Sequence, residues 1–162
     1  MTLDEAFARR LAAEIEHELQ GLEKLRDELP AAPRDDDTFT LRVRGSMLHD
    51  FYCGVERILV RIAEELNGGV PQGEQWHRQI VTDTTLEIPD VRPAVIDAAL
   101  AEELRDFLRF RHAFRNVYGS PLRAERMRPL EARLPDVLAA FRRHIRAFIE
   151  WMLGRPARPQ PP

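Results

Sequence analysis

Apolar residues recur three and four apart through long charged stretches of this chain, and that rhythm restricts its fold more than any other feature. From about Leu3 to Leu29, Phe7, Leu11, Ile15, Leu19 and Leu22 fall on one stripe of an amphipathic helix, which Pro30 and Pro33 end. A second helix is predicted from Asp37 or Thr38, with Leu48, Phe51, Tyr52, Val55, Ile58, Leu59, Ile62 and Leu66 on one face and Gly68-Gly69 as its stop. The stretch from Val70 to Pro93 is broken by Pro71, Gly73, Pro89 and Pro93, with room for a short helix over Trp76 to Val81. A third long helix is predicted from about Val95 to Val117, stopped by Gly119 and Pro121. The last carries Leu134, Leu138, Phe141, Ile145, Phe148 and Met152, with Pro135 either near its first turn or inside a helix begun earlier, and Gly154 as its end.

Long strands are not apparent, and no internal repeat is visible. The expected fold is therefore all-α: an antiparallel bundle of four long helices plus a short helix or irregular insert. Residues 1–154 should form one helical domain. Residues 155–162 are half proline and should be an extended, flexible tail. A chain of 162 residues buries about 70% of its unfolded surface, enough for one core without metal or disulfide.

Cys53 is the single cysteine, so an intramolecular disulfide is excluded and a reducing compartment is compatible. The acidic start, Met1-Thr2-Leu3-Asp4-Glu5, carries neither a signal peptide nor a membrane span, and a cytoplasmic location is expected. No metal or other cofactor is expected. His17, His49, His77 and His144 are widely separated and read as structural or surface residues, and no phosphate-binding glycine loop, paired-cysteine zinc motif or serine-hydrolase elbow is present.

The net charge of −3 does not favour nucleic acid over the whole molecule, so any affinity for RNA must be local. Between Arg105 and Arg128 seven arginines face two acidic residues, a local excess of five positive charges in a chain whose only lysine is Lys24. On the third long helix Leu100, Leu104, Phe107, Leu108 and Phe114 define the core face, and Arg111 falls inside that arc. A guanidinium there must find a carboxylate, lie at a subunit interface or mark a break in the helix. Roughly opposite, Arg105, Arg109, His112 and Asn116 follow four, three and four apart and would share one face, suited to reading phosphate or simply solvated.

The run Arg111-His112-Ala113-Phe114-Arg115-Asn116-Val117-Tyr118 resembles the motif of the HepT-like toxins of the HEPN superfamily: an arginine, four residues, a histidine, one residue and a tyrosine. Asn116 stands where that motif has histidine. The pattern from Leu108 to Gly119, the helical layout and the chain length extend the resemblance over most of the domain. It implies a metal-independent endoribonuclease that pairs as a homodimer to form a shared RNA-binding cleft, with Arg111, His112 and Asn116 as the catalytic candidates and Arg105, Arg109 and Arg115 as RNA-binding ones. Imidazole suits proton transfer to and from ribose and phosphate oxygens near neutral pH, and arginine suits charge gathering on phosphorus. Asparagine can only hydrogen-bond, so a second register ending at His112, after Arg105 and six intervening residues, stays open beside the first.

The same resemblance implies a partner, a nucleotidyltransferase antitoxin of the MntA type that attaches AMP to the motif tyrosine, here Tyr118. The added phosphate would lie beside Arg111 and Arg115 and compete for charge otherwise offered to RNA. The alternative, raised by Asn116, is a catalytically weak or inactive HEPN module binding RNA, nucleotide or a partner protein.

Overall fold

The computed structural model of the chain describes residues 5–116 and 121–154. Its helices are α1 (Glu5–Glu28), α2 (Thr38–Leu66), α3 (Trp76–Thr84), α4 (Ala98–Arg115) and α5 (Ala124–Leu153), with one turn of 3-10 helix at Leu29–Ala31. Among the described residues there is no strand, only an isolated bridge between Ile88 and Arg92. The expected all-α bundle of four long helices and one short helix is what forms.

Local chemistry sets the helix ends. The Asp37 carboxylate accepts hydrogen bonds from the backbone amides of Phe39 and Thr40 at 2.9 and 3.1 Å, satisfying two donors that open α2. Asp97 does the same for α4 through Leu100 N at 2.8 Å, so that helix starts at Ala98 rather than Val95. Val95 and Ile96 are instead buried in the approach, their amides donating to the Thr84 carbonyl. Helix α5 starts ten residues before Leu134 and runs through Pro129 and Pro135, both on its exposed side, where water can reach the carbonyls that the prolines leave without an amide donor.

Cross-helix contacts between basic and acidic side chains report the direction of each neighbour. Arg57–Glu18 and Arg61–Glu14 set α1 against α2; Arg142–Glu23 and Arg146–Glu16 set α1 against α5; Arg133–Glu103 and His144–Asp97 set α4 against α5. In each case rising numbers on one helix meet falling numbers on the other, so these neighbours are antiparallel. Phe51 against Phe107, with ring centroids 5.0 Å apart, and His49 against Phe114 at 5.2 Å give the same sense for α2 and α4. The bundle thus closes in the order α1, α2, α4, α5, with α3 laid over the α2–α4 seam. Every apolar residue assigned to the stripe of α2 is buried.

Two arginines are structural within this frame. Arg44, 2% exposed, donates from Nε to Glu131 at 2.8 Å and from Nη1 to the Asp35 carbonyl at 3.1 Å, joining α2 to α5. Arg92 donates to Asn67 Oδ1 and to the carbonyls of Asp83, Leu86 and Pro93, gathering the irregular segment that carries α3. Four hydrogen bonds spread over the guanidinium account for its burial.

Candidate functional site

The α2–α3–α4 junction holds a polar cluster inside otherwise apolar helix faces. On α2, Glu56 follows Tyr52 by one turn and precedes Leu59 by three residues, so its carboxylate shares the buried face. On α3, the Nδ1 of His77 lies 2.7 Å from Glu56 Oε2. An ionised carboxylate only accepts, so Nδ1–H donates and Nε2 is left for other chemistry. On α4, Arg111 Nη2 lies 3.6 Å from Glu56 Oε1. His112, the next residue, sets its ring edge-on to His77, with centroids 5.5 Å apart. Trp76 packs on the His77 ring, with centroids 3.7 Å apart and planes tilted by 31°.

Arg111 thus finds its carboxylate within the chain. It is 8% exposed, and its Nε and Nη1, like Tyr52 Oη, are buried without a protein hydrogen-bond partner. Of the roles open to an arginine on an apolar stripe, this is the buried ion pair, and its position does not by itself argue for a subunit interface. Burial, then the negative charge of Glu56, pushes the Tyr52 phenol well above the usual tyrosine range.

His112 differs from both neighbours in being exposed. Partial desolvation, followed by the positive charges of His77 and Arg111, holds its pKa below the ordinary histidine value, while Glu56 acts in the opposite sense. The neutral ring is therefore favoured near pH 7, the form that can accept a proton.

The remaining sequence candidates do not all converge on this cluster. Arg105 is half-buried and bridges to α3, donating to Thr82 Oγ1 at 3.2 Å while pairing with Glu102. Arg109 turns towards α5, pairing with Asp106 and lining a cavity of about 290 Å³ with Arg126 and Arg133. Arg115 is exposed in the last turn of α4, close enough to His112 to depress its pKa. Asn116 ends the helix, its Nδ2 donating back to the His112 carbonyl at 2.9 Å. Arg105, Arg109, His112 and Asn116 do share one helix, but their side chains diverge. Tyr118 lies outside the described residues.

Sequence reasoning missed Glu56 and His77, the latter read as a structural or surface residue. The available signal was a carboxylate one turn from Tyr52 on an apolar stripe, which demands a cationic or hydrogen-bonding partner for the same reason as Arg111. A groove of about 490 Å³ between α1 and α2 reaches Glu56 and Trp76 from the side away from α4; it is rimmed by Glu14, Glu18 and Glu64, with Arg57 and Arg61 already paired to those acids, and is ill suited to phosphate. Among the described residues no group of three His, Cys, Asp or Glu side chains is arranged to hold a metal ion.

A family model described as HepT-like protein matches residues 44–152, more than half of the chain and the whole of the α2–α3–α4 junction. The chain belongs to the HepT-like family. No curated protein and no solved structure matches it. In this HepT-like protein the match begins at Arg44, beside the Glu131 pair, and ends at Met152, on the buried stripe of α5, so it takes in every residue of the cluster. No helix among the described residues is long and apolar enough to cross a membrane.

Proposed function

We propose that this HepT-like protein is a metal-independent endoribonuclease toxin, with His112 as a proton-transfer group. The observation carrying this reading is that His112 is exposed and held towards its neutral form by partial desolvation and then by His77 and Arg111, next to Arg115 on a basic stretch. An imidazole poised near neutral pH accepts a proton from a ribose hydroxyl, and nearby guanidinium groups balance phosphate charge. Arg111 is a positioning residue in this scheme: buried against Glu56, it tunes His112 by its charge. Arg115, exposed in the last turn of α4 and close to His112, is the arginine offered to RNA. Of the two candidate proton-transfer positions the geometry favours His112, because the Asn116 side chain is spent on donating to the His112 carbonyl at the end of α4.

The family supports two further parts of the proposal. Two copies pair to present a shared cleft, and a nucleotidyltransferase antitoxin attaches AMP to Tyr118, three residues after Arg115 in the chain. Co-expression with such an enzyme should raise the mass of the chain by one adenylate, and Tyr118→Phe should abolish the increase.

Cleavage of an RNA oligomer in chelator-containing buffer tests the central claim. His112→Ala should reduce the rate by about 10²- to 10⁴-fold with the thermal transition retained. A parent protein that leaves RNA intact at micromolar concentration, alone and without antitoxin, would overturn the ribonuclease reading in favour of a binding module.

A further inference from the structure

Two imidazoles face one another at the α3–α4 seam, and one of them, His77, belongs to no part of the family motif. We propose that His77 is a second proton-transfer group in the same protomer, acting as the acid while His112 acts as the base. The inference rests on the ribonuclease reading and extends it to a residue outside α4.

The geometry carries the assignment. Glu56 fixes the His77 ring by accepting from Nδ1 at 2.7 Å, which directs Nε2 away from α2, and Trp76 closes one face of the ring at 3.7 Å. The edge-on arrangement at 5.5 Å brings the two rings close enough for one phosphodiester to lie within hydrogen-bond reach of both, about 2.6–3.2 Å from each. His77 is largely covered and His112 exposed, so the pair opens to solvent on the α4 side. The Glu56 carboxylate lies against His77, the counter-charge that an acid in this place requires, whereas His112 faces the cations Arg111 and Arg115. The charged and titratable groups acting on His112 are His77 from α3, Glu56 from α2, and Arg111 and Arg115 from α4; Glu56 and Arg111 also act on Tyr52 of α2, as do Cys53 and Arg105.

The step balances without a further reactant. The ribose 2′-oxygen forms a bond to phosphorus as its proton passes to His112, and the bond from phosphorus to the 5′-oxygen breaks as that oxygen takes the proton from His77 Nε2. The products are a 2′,3′-cyclic phosphate and a 5′-hydroxyl, and the two rings exchange protons with solvent to return to their starting forms. One protomer thereby supplies both groups although position 116 is asparagine.

The test compares ordinary RNA with the same oligomer carrying sulfur at the 5′-bridging position of one linkage, a leaving group that departs without a proton. Full-length parent, His77→Gln and His112→Gln are assayed from pH 5 to 9 in chelator. His77→Gln should lose about 10²- to 10⁴-fold on ordinary RNA and regain nearly the parental rate on the sulfur-bridged linkage, whereas His112→Gln should be slow on both. In the parent, the fall in rate at high pH should vanish with sulfur, a reading that needs no variant to fold. An equal loss on both substrates by His77→Gln, or parental cleavage of ordinary RNA by it, overturns the role of His77 and leaves the ribonuclease reading standing. No cleavage of either substrate by the parent overturns both.

Discussion

Glu56 meets His77 with one carboxylate oxygen at 2.7 Å and Arg111 with the other at 3.6 Å, so a single acidic side chain on α2 joins α3 to α4. The two contacts differ in consequence. The first fixes the tautomer of a ring that can transfer protons; the second balances a guanidinium that cannot lose its charge.

Arg111→Ala should therefore destabilise the fold, because it removes one partner of a buried pair. A loss of about 3 kcal/mol is expected from urea unfolding. The same variant should move the His112 pKa upward in an NMR titration, since the positive charge of Arg111 now depresses it. Unchanged stability together with an unmoved His112 would remove Arg111 from both roles.

His112 should make stability depend on pH in a defined direction. Its folded pKa lies below the unfolded value near 6.5, so at low pH the unfolded chain binds the extra proton more readily. Its contribution is full above the unfolded pKa and is lost as pH falls through the folded one. Urea midpoints at pH 7.5 and 5 should differ less in His112→Gln than in the parent. Equal differences would show that His112 titrates alike in both states.

Arg44 and Glu131 anchor the opposite end of α2 to α5, far along the chain from the motif. Arg44→Ala should lower stability by about 3–5 kcal/mol, by leaving Glu131 largely buried with only the half-exposed Arg34 as counter-ion. Cleavage per folded molecule should be unchanged when assayed below the transition temperature. A variant as stable as the parent in urea would contradict the account of this pair.

Asn116→His separates the two registers. Its side chain caps α4 by donating to the His112 carbonyl, and a histidine added there stands outside the Glu56–His77–His112 cluster. The rate on RNA should change by less than about threefold, well short of the 10²- to 10⁴-fold of a general acid or base. A rise of that size would return the proton-transfer role to position 116.

Assembly is a separate question, argued from the family. Sedimentation should show a dimer at micromolar concentration. A monomer that does not shift as concentration rises would remove the shared cleft while leaving the pairing of His77 with His112 within one protomer intact.

Much of this molecule was legible in the order of its residues because helix geometry is local. The period of Leu11, Ile15 and Leu19, the cap at Asp37 and the glycines after Leu66 each act within a turn or two, so α1 and α2 emerge close to their predicted limits. The prediction of four long helices holds for the same reason, and of the two places open to Pro135 the structure takes the second, inside a helix begun at Ala124. Arg111 could be marked as a charge on an apolar stripe, but its partner could not be named: Glu56 is 55 residues away, and many acidic side chains are formally available. Only the packing of α3 over the α2–α4 seam brings His77 to Glu56 and to His112, through contacts between residues distant in the chain that no local spacing encodes. Sequence by itself determined the helices and the charged residue types along them. Tertiary structure decided which charges are spent in buried pairs, as with Arg111, and which ring, His112, remains open to solvent, because burial and pairing are properties of the assembled bundle.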